Sequence, residues 1–178
     1  KLRPDDQLAK CDWGVHCPHC NKEVERVPTD ETKPFMPMSI YAIGKRDHEE
    51  MFLAFGLAYG IPAVALRYFN VYGDRQALSN PYTGVAAIFS SRILNNNSPV
   101  IYEDGQQSRD FIHVSDIVQA NMLAMEKPEA NNEMFNVGSG IPQPISHVAD
   151  VLIEKLGKKG KVKTEIVNKF RKGDIRHC

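Results

Sequence analysis

Apolar positions along the chain change their period several times, and each change marks an element. From Ser39 to Tyr59 the side chains of Met51, Phe52, Phe55, Ala58 and Tyr59 recur at helical spacing, and Gly60 with Pro62 supplies the stop. Ala63 to Leu66 comes next as a short unbroken apolar run between Pro62 and Arg67, the pattern of a strand buried on both faces of a parallel sheet. A helix leading into such a strand predicts an α/β layer. Tyr82 to Leu94 reads as a second helix ended by Asn95, Asn96 and Asn97, and Val100 to Tyr102 as an extended run entering a turn at Glu103-Asp104-Gly105. Phe111 to Val114 leaves that turn extended, and Ser115 or Asp116 caps a helix that runs to Glu126 ahead of Pro128. Met134 to Val137 predicts a short strand, Ile145 to Leu156 an amphipathic helix, and Val162 to Val167 a final strand. Residues 1–37 show neither period, carry Pro4, Pro18, Pro28, Pro34 and Pro37, and read as an irregular insertion.

Charge narrows the function classes. Lys and Arg together number 22, as do Asp and Glu, so bulk attraction to a polyanion is not how this chain finds a partner, and nucleic acid is not expected. The lysine-rich stretch from 155 to 172 therefore reads as a solvated face. No run approaches the roughly 20 apolar residues a bilayer span requires, so the expectation is a soluble, cytoplasmic protein away from membranes. The chain opens at Lys1 and stops at Cys178 directly after a charged segment, which reads as a piece of a larger protein.

Three of the four cysteines, Cys11, Cys17 and Cys20, lie within ten residues, which suits a local thiol site better than a disulfide framework. Cys17-Pro18-His19-Cys20 has the gap of a zinc knuckle, and Cys11 with His16 are candidates to complete four ligands. Structural zinc, free thiols and a redox pair all remain open. Cys178 is not expected to be a ligand.

Tyr41 and Lys45 stand four residues apart near a helix start, so both project from one face. A phenol ionises near pH 10, and a base useful at neutral pH needs about 3 units, roughly 4 kcal/mol, of help, part of which a fixed cation supplies. The spacing alone is common. The ordered set of motifs downstream of it is not: Arg67-Tyr68-Phe69-Asn70-Val71-Tyr72-Gly73, then Arg109-Asp110-Phe111-Ile112-His113-Val114, then Phe135-Asn136-Val137-Gly138-Ser139-Gly140. From about Pro37 to Cys178 this set resembles the extended short-chain dehydrogenase/reductase family, in particular its NAD-dependent nucleotide-sugar epimerases and dehydratases of the UDP-glucose 4-epimerase type.

The resemblance implies a partial Rossmann-type parallel sheet, without its N-terminal half, interleaved with a smaller α/β substrate-binding region. Its divisions would be the insertion at 1–37, the second part of the cofactor domain at 38–80, and mainly nucleotide-sugar-binding structure at 81–178. Tyr41 becomes the acid/base and Lys45 the residue that holds the nicotinamide ribose, with Tyr68 and Phe69 also beside the cofactor NAD. Asn70, Val100, Tyr102, Arg109, Arg171 and Asp174 become substrate residues for a UDP- or dTDP-sugar. Arg109 suits a diphosphate because a guanidinium offers two parallel charge-assisted hydrogen bonds. Gly138 to Gly140 serves as a structural turn. The family's glycine-rich NAD loop would lie upstream of Tyr41, and residues 1–37 hold only Gly14. The implied reaction is C4 epimerisation through a 4-keto sugar; a 4,6-dehydratase or 4-keto reductase, or a non-catalytic zinc-stabilised nucleotide-sugar-binding module, are the alternatives. Pairing of two copies through the Tyr-x-x-x-Lys helix, using Met51, Phe52 and Phe55, makes a homodimer the expected assembly.

Overall fold

A computed structural model describes residues 3–77 and 83–178. In chain order it contains α1 (Asp5–Ala9), α2 (Ile40–Tyr59), β1 (Ala65–Tyr68), β2 (Asn70–Tyr72), α3 (Val85–Leu94), β3 (Val100–Ile101), β4 (Ser108–His113), α4 (Val114–Glu126), β5 (Met134–Val137), β6 (Pro142–Pro144), α5 (Ile145–Lys155) and β7 (Glu165–Ile166). β1 pairs in parallel with β5, β3 in parallel with β7, and β4 lies between parallel β2 and antiparallel β6. The α/β class with parallel pairing agrees with the expectation. Among the described residues no helix is long and apolar enough to cross a membrane.

The buried core sits in the later half of the chain. Phe89 and Ile93 of α3 pack with Ile145, Ala149 and Ile153 of α5 over Ile101 and Val162. Full burial of each large side chain in such a cluster contributes about 1.5–3 kcal/mol. Val162 explains why the last strand is shorter than predicted: it turns into this core, leaving only Glu165 and Ile166 to pair with β3.

Several expected boundaries move for identifiable reasons. β1 begins at Ala65 rather than Ala63, because its partners run from Met134 to Val137, and it is half-buried rather than covered on both faces, since β5 is its one strand neighbour among the described residues. β4 starts at Ser108, three residues before the predicted Phe111, because its first half pairs with β6. That strand, Pro-Gln-Pro, escapes the pattern because proline is confined to sheet edges. α4 is capped by the His113 ring accepting from the Ser115 amide, not by Ser115 or Asp116. α1 lies within the stretch expected to be irregular; Pro4 precedes it and Asp5 and Asp6 occupy its first turn, where acidic groups favour the helix N-terminus. Tyr82, the predicted start of α3, lies outside the described residues.

Asp110 and Arg109 leave β4 on opposite faces, as strand alternation requires. The Asp110 carboxylate accepts from the Ser139 amide (2.8 Å), the Ser139 hydroxyl (2.7 Å) and the Gly140 amide (2.8 Å), closing the turn after β5. A Cβ at Gly138 would stand 2.7 Å from that carboxylate, which is why glycine is needed there.

The two ends of the described chain meet at the turn between β3 and β4. Glu103, 4% exposed and left-handed at φ 51, receives a two-pronged grip from Arg3 at 2.9 and 2.7 Å. Arg176 donates to Glu103 at 2.9 Å and to both carboxylate oxygens of Asp104 at 2.6 and 2.8 Å. Burial raises the Glu103 and Asp104 pKa values, but the guanidiniums more than offset it, so both carboxyls titrate below their ordinary range.

Packing and charge each lead to a stability prediction. α2 ends at left-handed Gly60, and a Cβ at Gly56 would meet the Ala63 Cβ and the Ile61 carbonyl at 2.7 Å, whereas one at Gly44 meets nothing within 4 Å. In urea denaturation Gly56→Ala should therefore cost about 1–3 kcal/mol, while Gly44→Ala should add about 0.5–1 kcal/mol. Because Glu103 has a depressed folded pKa, its contribution is complete above its ordinary value of 4.5 and is lost as pH falls through the folded value. Glu103→Gln should cost about 3 kcal/mol at neutral pH and flatten the acid limb of the stability profile; an unchanged limb would show that the buried carboxylate is not its source.

Candidate functional site

α2 carries the candidate acid/base pair. The Ser39 hydroxyl accepts from the Ala42 amide at 3.1 Å, which starts the helix immediately before Tyr41. One turn on, Lys45 Nζ stands 5.6 Å from the centre of the Tyr41 ring, so the phenol and ammonium share a face as their spacing predicts. Both are exposed. The helix is held to β1 by Arg67, whose Nε and Nη2 donate to the two Glu49 carboxylate oxygens at 2.8 and 2.6 Å. The same guanidinium donates to the Glu31 carbonyl at 2.9 Å and lies over the Phe35 ring at 4.6 Å. One arginine thus registers the helix, the sheet and the 1–37 segment against each other.

A cleft of about 610 Å³ opens between that segment, the C-terminal edges of β1 and β5, the start of β4 and the tail at 174–178. This volume suits a small organic ligand. Phe69 and Asp174 lie on its wall, together with Asn136, Gly138, Ser108 and His177. Tyr68, on the opposite face of β1, turns away from it; the Asn121 amide nitrogen on α4 donates to its hydroxyl at 2.8 Å, and the structure does not bring Tyr68 beside Phe69. Asn70 begins β2 opposite Phe111.

The expected nucleotide residues fall into two groups. Tyr102 and Arg171 meet directly, with the guanidinium 4.2 Å above the phenol ring, and Val100 precedes them on β3 beside Glu165. Arg109 reaches the tail instead: it donates to the carbonyls of Ser108 at 2.8 Å, Arg176 at 3.1 Å and Ile175 at 2.8 Å. It braces the backbone that carries Asp174 from behind the wall.

Other residues in the wall have no motif to mark them. Ser108 is fully buried, its Oγ 2.9 Å from His177 Nδ1 and 2.8 Å from Arg26 Nη1, which donates to it. Burial, and after it Arg176, Arg26, Arg109 and Arg3, hold the His177 pKa below its usual value. Arg26 and His177 are 151 residues apart, and a pairing across that distance has no local pattern; the one clue in the sequence is that both stand outside every predicted element.

The cysteine segment corrects an expectation. Cys17 and Cys20 do face each other across a tight turn, where the His19 and Cys20 amides and then the Cys20 thiol lower the Cys17 pKa. His16, however, has Nε2 3.0 Å from both Asp12 carboxylate oxygens, and Cys11 Sγ points to the Asn168 carbonyl at 4.0 Å. The set Cys11, His16, Cys17 and Cys20 is therefore not assembled, and among the described residues no three His, Cys, Asp or Glu side chains converge as metal ligands.

Comparison with known proteins gives this geometry a family. Residues 19–138 match the model of the NAD dependent epimerase/dehydratase family. The chain is 33% identical over 149 residues to the dTDP-L-rhamnose 4-epimerase of Burkholderia thailandensis, covering 84% of this chain and 40% of that one. A UDP-glucose 4-epimerase of Thermotoga maritima, solved with UDP-glucose, superposes with a TM-score of 0.78 at 38% identity, covering 87% of this chain and 48% of the other. A UDP-N-acetylglucosamine 4-epimerase of Methanobrevibacter ruminantium gives 0.77 at 38% identity, covering 94% and 50%. The chain spans about half the length of these relatives. The ordered motifs, the parallel α/β pairing and a family match over more than half of the chain lead to one assignment: the chain belongs to the NAD dependent epimerase/dehydratase family.

Proposed function

We propose that this chain is the catalytic-helix and substrate-binding part of an NAD-dependent nucleotide-sugar 4-epimerase, acting on a UDP- or dTDP-hexose. The observation that carries the proposal is the shared face of Tyr41 and Lys45 at the capped start of α2. Similarity to three 4-epimerases at 33–38% identity supports epimerisation over the alternatives, since the two dTDP-glucose 4,6-dehydratase structures, at 23% and 21%, share the fold alone.

The exposed phenol and ammonium fit the nicotinamide end of NAD: Lys45 would hold the ribose, and Tyr41 would lie between ribose and sugar. When bound, that cofactor supplies the hydride chemistry at C4. Within this chain, the Tyr41 oxygen takes the proton of the sugar 4-hydroxyl as the C4 carbonyl forms. It returns that proton to the C4 oxygen after the 4-keto sugar has presented its other face. The positive charge of Lys45 favours the phenolate during the first step. Phe69 and Asp174 sit on the cleft wall, and Arg109 keeps the backbone next to Asp174 in place. The exposed Met51, Phe52 and Phe55 support pairing of two copies through α2.

In the protein carrying both cofactor and substrate parts, Tyr41→Phe should lower turnover by about 10²- to 10⁴-fold while UDP-sugar affinity stays within about threefold. Wild-type turnover in that variant would remove Tyr41 from the mechanism. Arg109→Ala should lower nucleotide affinity with little change in turnover of bound substrate, read as a KM effect by steady-state kinetics; an unchanged KM would leave Arg109 a role in tail stability alone.

A further inference from the structure

Away from the cleft, two nucleophiles stand side by side at the tip of a hairpin in the 1–37 segment. The Cys17 amide donates to the Lys22 carbonyl at 2.9 Å, and the Cys17 carbonyl accepts from the Asn21 amide at 2.9 Å. Below them the Val24 amide donates to the Val15 carbonyl at 2.8 Å, and His16 and Glu23 bridge the two arms as an antiparallel pair. Asn21 takes the left-handed conformation, at φ 56, with which the chain reverses, and Pro18 fixes one backbone angle inside the turn. Backbone contacts therefore hold Cys17 and Cys20 together before either sulfur forms a bond. Cys17 is half-buried, Cys20 is exposed, and neither lines the cleft.

The surroundings of the two sulfurs select the chemistry. The Cys17 sulfur accepts from the His19 and Cys20 amides and from the Cys20 thiol. Amide donors favour the thiolate, the form in which a cysteine attacks. A tetrahedral soft-metal site needs four ligands, and among the described residues no third His, Cys, Asp or Glu converges on this pair. The order of the segment does not depend on the pair either. Arg3 fastens it to Glu103, and Glu31 fastens it to Arg67 and to the Asn136 amide, with no thiol involved. A bond between Cys17 and Cys20 would close too short a loop to act mainly as a staple, since that gain grows with loop length. Exchange between dithiol and disulfide needs only two sulfurs, access for a reagent and a turn that already brings the sulfurs together, and all three are present.

We propose that the Cys17–Cys20 turn is a thiol–disulfide exchange site whose substrates are small-molecule disulfides and, in the reverse direction, small-molecule thiols. In the oxidising direction the Cys17 thiolate attacks one sulfur of the disulfide. A bond from Cys17 to that sulfur forms, the sulfur–sulfur bond of the small molecule breaks, and the first thiolate leaves and takes a proton from solvent. Cys20, having lost its proton to solvent, attacks the Cys17 sulfur and releases the second thiolate, which is protonated in turn. The two cysteines are oxidised by two electrons and the small disulfide is reduced to two thiols, so no other oxidant takes part. Both cysteines precede the motifs that mark the family, and the site stands apart from the nucleotide-sugar reading. Cys11, whose sulfur points to the Asn168 carbonyl at 4.0 Å, and the exposed Cys178 serve as internal comparisons.

The test is equilibration of the reduced chain, with a metal chelator present, in mixtures of reduced and oxidised glutathione, followed by alkylation, intact-mass measurement and peptide mapping. The wild-type chain should lose two of its four free thiols without retaining glutathione, the new bond should join Cys17 to Cys20, and excess reduced glutathione should restore both thiols. Cys20→Ser should instead keep glutathione on Cys17, formed about tenfold faster than on Cys11 or Cys178. Cys11→Ser should exchange as the wild type does. The circular-dichroism spectrum should be the same for the reduced chain, the oxidised chain and Cys20→Ser, because the contacts that fasten the segment use neither thiol. The site is overturned if the four cysteines react alike, if wild-type Cys17 retains glutathione at equilibrium, or if Cys20→Ser unfolds the chain. Stoichiometric zinc on Cys17 and Cys20 in the purified chain, blocking the reaction, would also overturn it and make the pair metal ligands.

Discussion

Placing a carboxylate at 4% exposure is costly unless cations surround it, and Glu103 meets that condition only because Arg3 and Arg176 arrive from opposite ends of the described chain. The rest of the site depends on that meeting. Arg176 cannot hold Glu103 and Asp104 unless residues 176–178 run alongside β4, where the Ser108 amide donates to the Arg176 carbonyl and the Cys178 amide to the Ser108 carbonyl. Those residues form one wall of the cleft, and the segment that begins at Arg3 forms another. Removal of the central charge would leave Arg3 buried without a carboxylate and Arg176 held by Asp104 alone, and the two walls would lose their common fastening.

The helix bearing Tyr41 and Lys45 depends on a second, weaker fastening of the same kind. α2 buries only Gly56 and leaves Met51, Phe52, Phe55 and Leu57 exposed, so apolar contact with β1 does little to set its position. The Arg67–Glu49 pair sets it instead, through two hydrogen bonds of fixed geometry. Arginine is suited to this because its fork defines an angle as well as a distance. The half-buried β1 and the bare face of α2 have one cause: the pattern of apolar residues is that of a sheet and helix with more neighbours than this chain supplies.

Legibility in the sequence tracks the range of the interaction involved. Tyr41 and Lys45 are legible because helix periodicity brings residues four apart together, and the core residues of α3 and α5 are legible for the same reason. The role of Asp110 is half legible: its motif is plain, but the three hydrogen bonds it accepts come from the turn 29 and 30 residues on. Tyr68 and Phe69 read as neighbours in one site, yet a strand sends adjacent side chains to opposite faces, and only Phe69 reaches the cleft. Glu103 reads as a turn residue, which it is; nothing local signals that the turn is buried beneath two arginines.

The 1–37 segment reads in the sequence as an accessory held by its cysteines, and the contacts assign its order to other groups. Trp13 and Leu8 are buried, Arg3 grips Glu103, and Glu31 accepts from the Asn136 amide. Cys17 and Cys20 close only a local turn. A segment fixed to the α/β framework at Arg3 and, through both its backbone carbonyl and its carboxylate, at Glu31 is held tightly enough to present a side chain to the cleft at a defined distance, as Arg26 is presented to Ser108. This makes the segment a structural part of the site, and it explains why motif comparison alone could not find its contribution: the motifs describe the framework, while the segment supplies the wall that faces it.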